Sequence, residues 1–184
     1  MAAAHRRGAH DYLDFNQNLR VQIGAAVYRL DQGEAVSDAW KNAGQAQVYL
    51  AALNSAELEY RIPTDLLARI AYQESSFRPD VISGAVKSSA GCVGLMQLNP
   101  VYFPEAGHSA IDDITSAAKL LVSLFARFND WQVSLAAYNW GGGNVHHEYA
   151  VDADRYVLAD MPIQTQNYVR QVFADVPLQG ALLS

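Results

Sequence analysis

The chain has 184 residues, a length that suits one domain with an appendage. Hydrophobic residues make up 51% and charged residues 17%, which supports a buried core and argues against a disordered chain. The 13 Lys and Arg against 19 Asp and Glu leave a net charge of −6, so a nucleic-acid partner is not expected, because phosphate affinity rests on Lys and Arg.

Residues 1–10 read as a loose tail. Arg6 and Arg7 are followed by Asp11 and Asp14 rather than by an apolar stretch, so the start does not read as a secretory signal peptide. From Tyr12, apolar residues recur at three- and four-residue steps through Phe15, Leu19, Ile23 and Leu30, predicting a helix that Gly33 closes. A second helical stretch spans roughly 34–59, with Ala35, Ala39, Ala43, Ala46, Leu50 and Leu53 on one side and Gly44 as an internal weak point. Pro63 marks a new start, with Thr64 as the expected cap and Asp65 suited to the first turn of the next helix. Residues 79–100, rich in Gly, Ser and Val, read as loop with room for a short β-hairpin. Further helices are predicted from Asp113 to about Phe128, over about 131–138 until the glycine run 141–143, and from Gln164 to Ala174 after Pro162. The fold is therefore expected to be mainly α. No apolar run reaches the ~18 residues of a membrane span.

Glu74 departs from the pattern. It lies four residues after Ile70 and seven after Leu67, which puts a carboxylate on the inward face at a helix end. Burial raises a carboxyl pKa, and a raised pKa suits a general acid near neutral pH. Taken alone, a glutamate wetted at a frayed helix end is the plainer reading. Downstream, Gly94-Leu95-Met96-Gln97 joins a glycine that permits close backbone approach to an amide suited to sugar hydroxyls. Ala137-Tyr138-Asn139 precedes the glycine run, so Tyr138 is placed to stack on a sugar or to hydrogen-bond the catalytic carboxyl. Tyr168 offers a second phenol.

Glu74-Ser75, then Gly94 to Gln97, then Tyr138-Asn139 with Gly141, then Tyr168-Val169, in this order over residues 60–175, resemble the lytic transglycosylases of goose-lysozyme-like fold. Leu98-Asn99-Pro100 and Trp140 are most similar to the branch found in phage particles and in conjugation or secretion machines. The resemblance implies a lysozyme-like catalytic domain over 60–177, preceded by extra N-terminal helices in 11–59 and followed by a tail, 178–184. It implies Glu74 as the catalytic acid and base. Ser75, Ser88, Gly94, Gln97, Tyr138, Asn139 and Tyr168 are implied as the substrate-binding set, with Ser75 also fixing the helix end. Three departures stand out: a longer stretch before Gly94, with Val81–Lys87 as the extra loop; Asn99 in place of a methionine; and Gln164 in place of a glutamate.

The implied reaction cleaves the bond between N-acetylmuramic acid and N-acetylglucosamine and leaves an anhydromuramic end, with no cofactor and no metal. A hydrolytic lysozyme on the same scaffold and a non-catalytic wall-binding component remain alternatives. The partner is the peptidoglycan glycan strand, with phage virion or secretion-machine proteins as possible contacts of residues 11–59. Action is expected on the cell wall, in the periplasm, after delivery by a phage particle, a pore or a secretion machine. His146-His147-Glu148 lacks the i, i+4 histidine spacing of a zinc helix and reads as solvated. Cys92 reads as a small buried thiol, Trp40 and Trp131 as core, and Trp140 as core or sugar platform.

Overall fold

The computed structural model describes residues 44–149 and 158–173. The helix expected over Tyr12–Gly33, the first part of the one expected over 34–59, Trp40 and both terminal tails lie outside the described residues.

Helix α1 covers Ala46–Tyr60, α2 Leu66–Ser75, α3 Pro79–Ile82, α4 Ala110–Phe128, α5 Trp131–Trp140 and α6 Gly142–Tyr149. A 3-10 turn, Leu158–Asp160, leads into α7, Ile163–Phe173. No β-strand occurs among the described residues, and the hairpin expected in 79–100 is reduced to one antiparallel bridge, Val93 with Leu98. The fold is mainly α, as expected.

Helix α2 runs through the middle of the molecule. Six of its first residues, Leu66 to Ala71, are buried, so the helix is covered nearly all round. It packs against α1, α4 and α7, while α5 bridges α4, α6 and α7. Leu53, Ile70, Leu95, Met96, Leu121 and Leu135 fill the space between them and are fully buried.

Local signals explain most of the boundaries. Ser109 caps α4 by accepting from the Asp112 N–H at 3.1 Å. Asp130 caps α5, accepting from the N–H groups of Gln132 at 2.7 Å and Val133 at 3.1 Å. Asn129, at φ 52°, supplies the left-handed residue between α4 and α5, and Trp131 then stacks on Phe125 at 4.0 Å across the corner.

Three expectations need correction. Gly44 is not inside a helix; it sits in the turn before α1 at φ 47°, where a Cβ would come within 2.4 Å of the Phe77 carbonyl oxygen. Thr64 does not cap α2, because Asp65 at φ 66° occupies the boundary and makes no side-chain cap. Residues 79–82 form a short helix with Pro79 in its first turn, a place where the missing N–H costs nothing. The glycine run ends α5 at Gly141, as expected, and α6 starts directly after it at Gly142.

Candidate active site

Glu74 occupies the last turn of α2 and is half-buried. The Tyr168 hydroxyl, from α7, donates to its Oε1 at 2.7 Å. Among the described residues, no hydrogen bond reaches Oε2. Burial pushes the Glu74 carboxyl up to about 7, against the smaller lowering by the Tyr168 hydrogen bond. The carbonyl end of α2 adds partial negative charge on the same side, which also disfavours the anion. The group is thus protonated over a range where an ordinary glutamate is ionised.

Two phenols flank the carboxyl. Tyr168 is buried, and burial together with the Glu74 charge raises its hydroxyl well above its ordinary range. Tyr138 is raised well above its ordinary range by burial first and by the charge of Glu74 second. The two tyrosines stand close enough for Tyr138 to bear on Tyr168 as well. The hydroxyl of Tyr138, however, donates to the Met96 carbonyl at 3.0 Å, so the phenol bonded to Glu74 is Tyr168 and not Tyr138.

The turn Gly94–Gln97 hangs from the Val93–Leu98 bridge, closed by Val93 N–H to Leu98 O at 3.0 Å and Leu98 N–H to Val93 O at 3.1 Å. Asp113, almost wholly buried at the start of α4, accepts from the Leu95 N–H at 2.6 Å and the Gly107 N–H at 2.7 Å. Gly94 explains itself here: at φ 79° any Cβ would stand 2.0 Å from Asp113 Oδ2. Gly94 is therefore buried against a carboxylate and not open to a sugar. Gln97, half-buried at φ 46°, donates from Nε2 to the Gly94 carbonyl at 2.9 Å, leaving its amide oxygen without a bond among the described residues.

The remaining candidates divide. Asn139 is exposed and accepts from the Thr165 hydroxyl at 3.2 Å, which ties α5 to α7 rather than to Glu74. Ser75 is buried, its hydroxyl donating to the Ala71 carbonyl at 2.9 Å and accepting from the Phe77 N–H at 3.3 Å. It closes the helix end and has no open face for a substrate. Ser88 lies exposed in the loop, accepting from the Cys92 N–H at 2.9 Å, and no contact brings it to Glu74. Asn99 spends its amide on the same loop, bonding Ala90 O and Val101 N–H, and Gln164 is exposed. Cys92 is half-buried, Trp131 is core, Trp140 is half-buried, and the side chains of His146 and His147 are exposed.

Glu57 escaped the sequence reading. It is a buried carboxylate on α1, accepting at Oε2 from the Asp65 N–H and at Oε1 from the Leu67 N–H, both at 2.8 Å. Burial pushes it up to about 7, although the main-chain hydrogen bonds oppose the shift. The signal was available: Ala46, Leu50, Leu53 and Glu57 form one stripe of three- and four-residue steps. Asp113 was seen only as a helix start, yet Asp113, Ala117, Leu121, Leu124 and Phe128 make a stripe of the same kind.

The mainly helical fold, with a raised carboxyl at the end of its central helix, is consistent with a lysozyme-like SLT domain. The model of the transglycosylase SLT domain family matches residues 51–155, and the chain belongs to that family. Membership carries a function of the lytic transglycosylase type, acting on peptidoglycan. No described helix is long and apolar enough to cross a membrane.

Proposed function

We propose that the protein is a peptidoglycan lytic transglycosylase in which Glu74 acts first as acid and then as base. Protonated Glu74 gives its proton to the oxygen linking N-acetylmuramic acid to N-acetylglucosamine, and the C1–O bond breaks. The substrate's own acetamide stabilises the positive centre at C1. The Glu74 anion then takes the proton of the muramic C6 hydroxyl, whose oxygen closes on C1. One glycosidic bond is lost, one intramolecular ether bond is formed, and no water is consumed. Tyr168 stabilises the anion between the two steps. Gln97, with its open amide oxygen, and Asn139 supply contacts to the sugars, and Tyr138 holds the turn that carries Gln97.

The observation that carries this reading is the Glu74 carboxyl itself, raised to about 7 with one oxygen bonded to Tyr168. A second observation favours one carboxyl over two. Glycosidases with paired carboxylates set them roughly 5–9.5 Å apart, both facing the sugar. Glu57 and Asp113, the other buried acids described, have both oxygens occupied by main-chain N–H groups. Asp80 is tied to Arg78 at the surface.

In this reading the catalytic unit includes α1, and residues before it dock or pad. The setting is a phage crossing the wall or lysing its host, which rests on the resemblance of residues 98–100 and 140. The deciding experiment is mass spectrometry of fragments released from purified peptidoglycan. Anhydromuramic ends are expected. Reducing muramic ends would instead mean a hydrolytic lysozyme, and the absence of fragments from several wall types would mean a binding or structural component.

A further inference from the structure

One neighbour grips α2 at both of its ends. At the start, Glu57 of α1 receives the N–H groups of Asp65 and Leu67, each at 2.8 Å. Just past the far end, the Phe77 carbonyl accepts from the N–H of Gln45, immediately before α1, at 3.0 Å. Tyr49 of α1 stacks on the Phe77 ring, with centroids 6.4 Å apart. The two helices thus run in opposite directions and are pinned at two points.

The N-terminal pin is unusual in its source. The first N–H groups of any helix lack partners within it, and a residue just before the helix usually satisfies one of them. Such a cap moves with its own helix and fixes nothing relative to the rest of the fold. Asp65 makes no side-chain cap on α2. The acceptor is borrowed from α1, so it sets the height and rotation of the first turn against a separate body. Leu67, one of the two bonded residues, lies seven positions before Glu74, two turns away on the same face. A helix buried nearly all round passes a displacement of its first turn to its last.

We propose that Glu57 is a positioning residue for the reaction: anchored on α1, its carboxylate sets where α2 presents the Glu74 carboxyl to Tyr168 and to the glycosidic oxygen. The inference rests on Glu74 being the acid and base. It assigns Glu57 no contact with substrate.

The test compares the full chain with Glu57→Gln and Glu57→Asp, at a temperature where circular dichroism shows each fully folded. Glutamine keeps the length but turns an NH2 group towards one of the two N–H donors. In steady-state cleavage of soluble glycan strands, Glu57→Gln is expected to lower kcat about 10- to 100-fold with KM little changed, the scale of a misplaced catalytic group. Glu57→Asp keeps both acceptors on a shorter arm and is expected to recover part of the loss. A readout independent of activity is the 13C NMR titration of the Glu74 carboxyl, whose midpoint is expected to rise in Glu57→Gln as the Tyr168 donor is displaced. An unchanged kcat together with an unchanged Glu74 midpoint, in a variant that has lost thermal stability, overturns the proposal and leaves Glu57 a stabilising cap only. If Glu57→Gln does not fold, the same two readouts on Glu57→Asp decide in the same way. Cleavage surviving in Glu74→Gln would instead overturn the reading of Glu74, while the NMR titration would still report whether Glu57 sets its position.

Discussion

The hydroxyl of Tyr168 lies 2.7 Å from Glu74 Oε1, although ninety-four residues separate them in the chain. This bond lowers the Glu74 carboxyl from the still higher value that burial alone would give. Tyr168→Phe removes a donor to the anion, so the acid form should persist further into the alkaline range. The alkaline limb of the pH profile for kcat/KM should move up by about one to two units, the scale of one hydrogen bond to a charged group. An unmoved limb would mean that Tyr168 does not bear on the ionisation of Glu74.

Glu74→Gln should abolish cleavage and leave the fold intact. It should also change how stability depends on pH. The folded carboxyl titrates at about 7, against 4.5 for an ordinary glutamate. The folded state therefore binds the proton more tightly, and the contribution of this group to stability, full at low pH, is lost as pH rises from 4.5 to about 7. Glutamine has no proton to lose. The Tm of Glu74→Gln relative to the parent should accordingly be higher at about pH 8 than at about pH 5. Glu57 titrates in both proteins and cancels in the difference. A constant Tm difference across that range would refute the raised value.

Gly94→Ala should be among the most damaging single-methyl changes in the chain. Its Cβ would meet Asp113 Oδ2 at 2.0 Å on a backbone at φ 79°. Overpacking and left-handed strain each cost about 1–3 kcal/mol, so denaturant melts should show a loss of several kcal/mol, with cleavage lost as the turn is displaced. Asp113→Asn, which keeps the shape but replaces one acceptor by a donor facing an N–H, should cost about 1–3 kcal/mol.

Ser109→Ala serves as the contrast. It removes the cap of α4, worth about 1 kcal/mol, at a position that touches neither Glu74 nor the Gly94–Gln97 turn. Tm should fall while kcat and KM, measured well below it, stay at their parent values.

The helices were largely legible because three- and four-residue apolar spacing survives in α2, α4 and α7 and because Pro63 and Pro162 mark the starts of α2 and α7. The misread places are those where a distant group replaces a local signal. Thr64 looked like a cap, but Glu57 does that work from another helix. Tyr138 looked like the partner of the carboxyl, but spacing along the chain cannot tell which of two phenols reaches it. Glu74 stood out as a carboxylate on an apolar stripe but was assigned through the resemblance carried by the motifs after it; on the stripe alone, Glu57 and Asp113 satisfy the same criterion. What separates the three is the partner: main-chain N–H groups occupy both oxygens of Glu57 and of Asp113, whereas a single phenol meets Glu74. That difference exists only in three dimensions.

The two-point hold of α1 on α2 has a practical corollary for dissection of the chain. The family match begins at residue 51, within α1. A fragment cut there would keep Glu57 but discard the Gln45 N–H that meets Phe77, the Tyr49 ring beside it and the buried Ala46. Such a fragment would leave the end of α2 that bears Glu74 secured on fewer sides than the other, so an inactive fragment beginning at 51 would say more about where it was cut than about the chemistry of the intact chain.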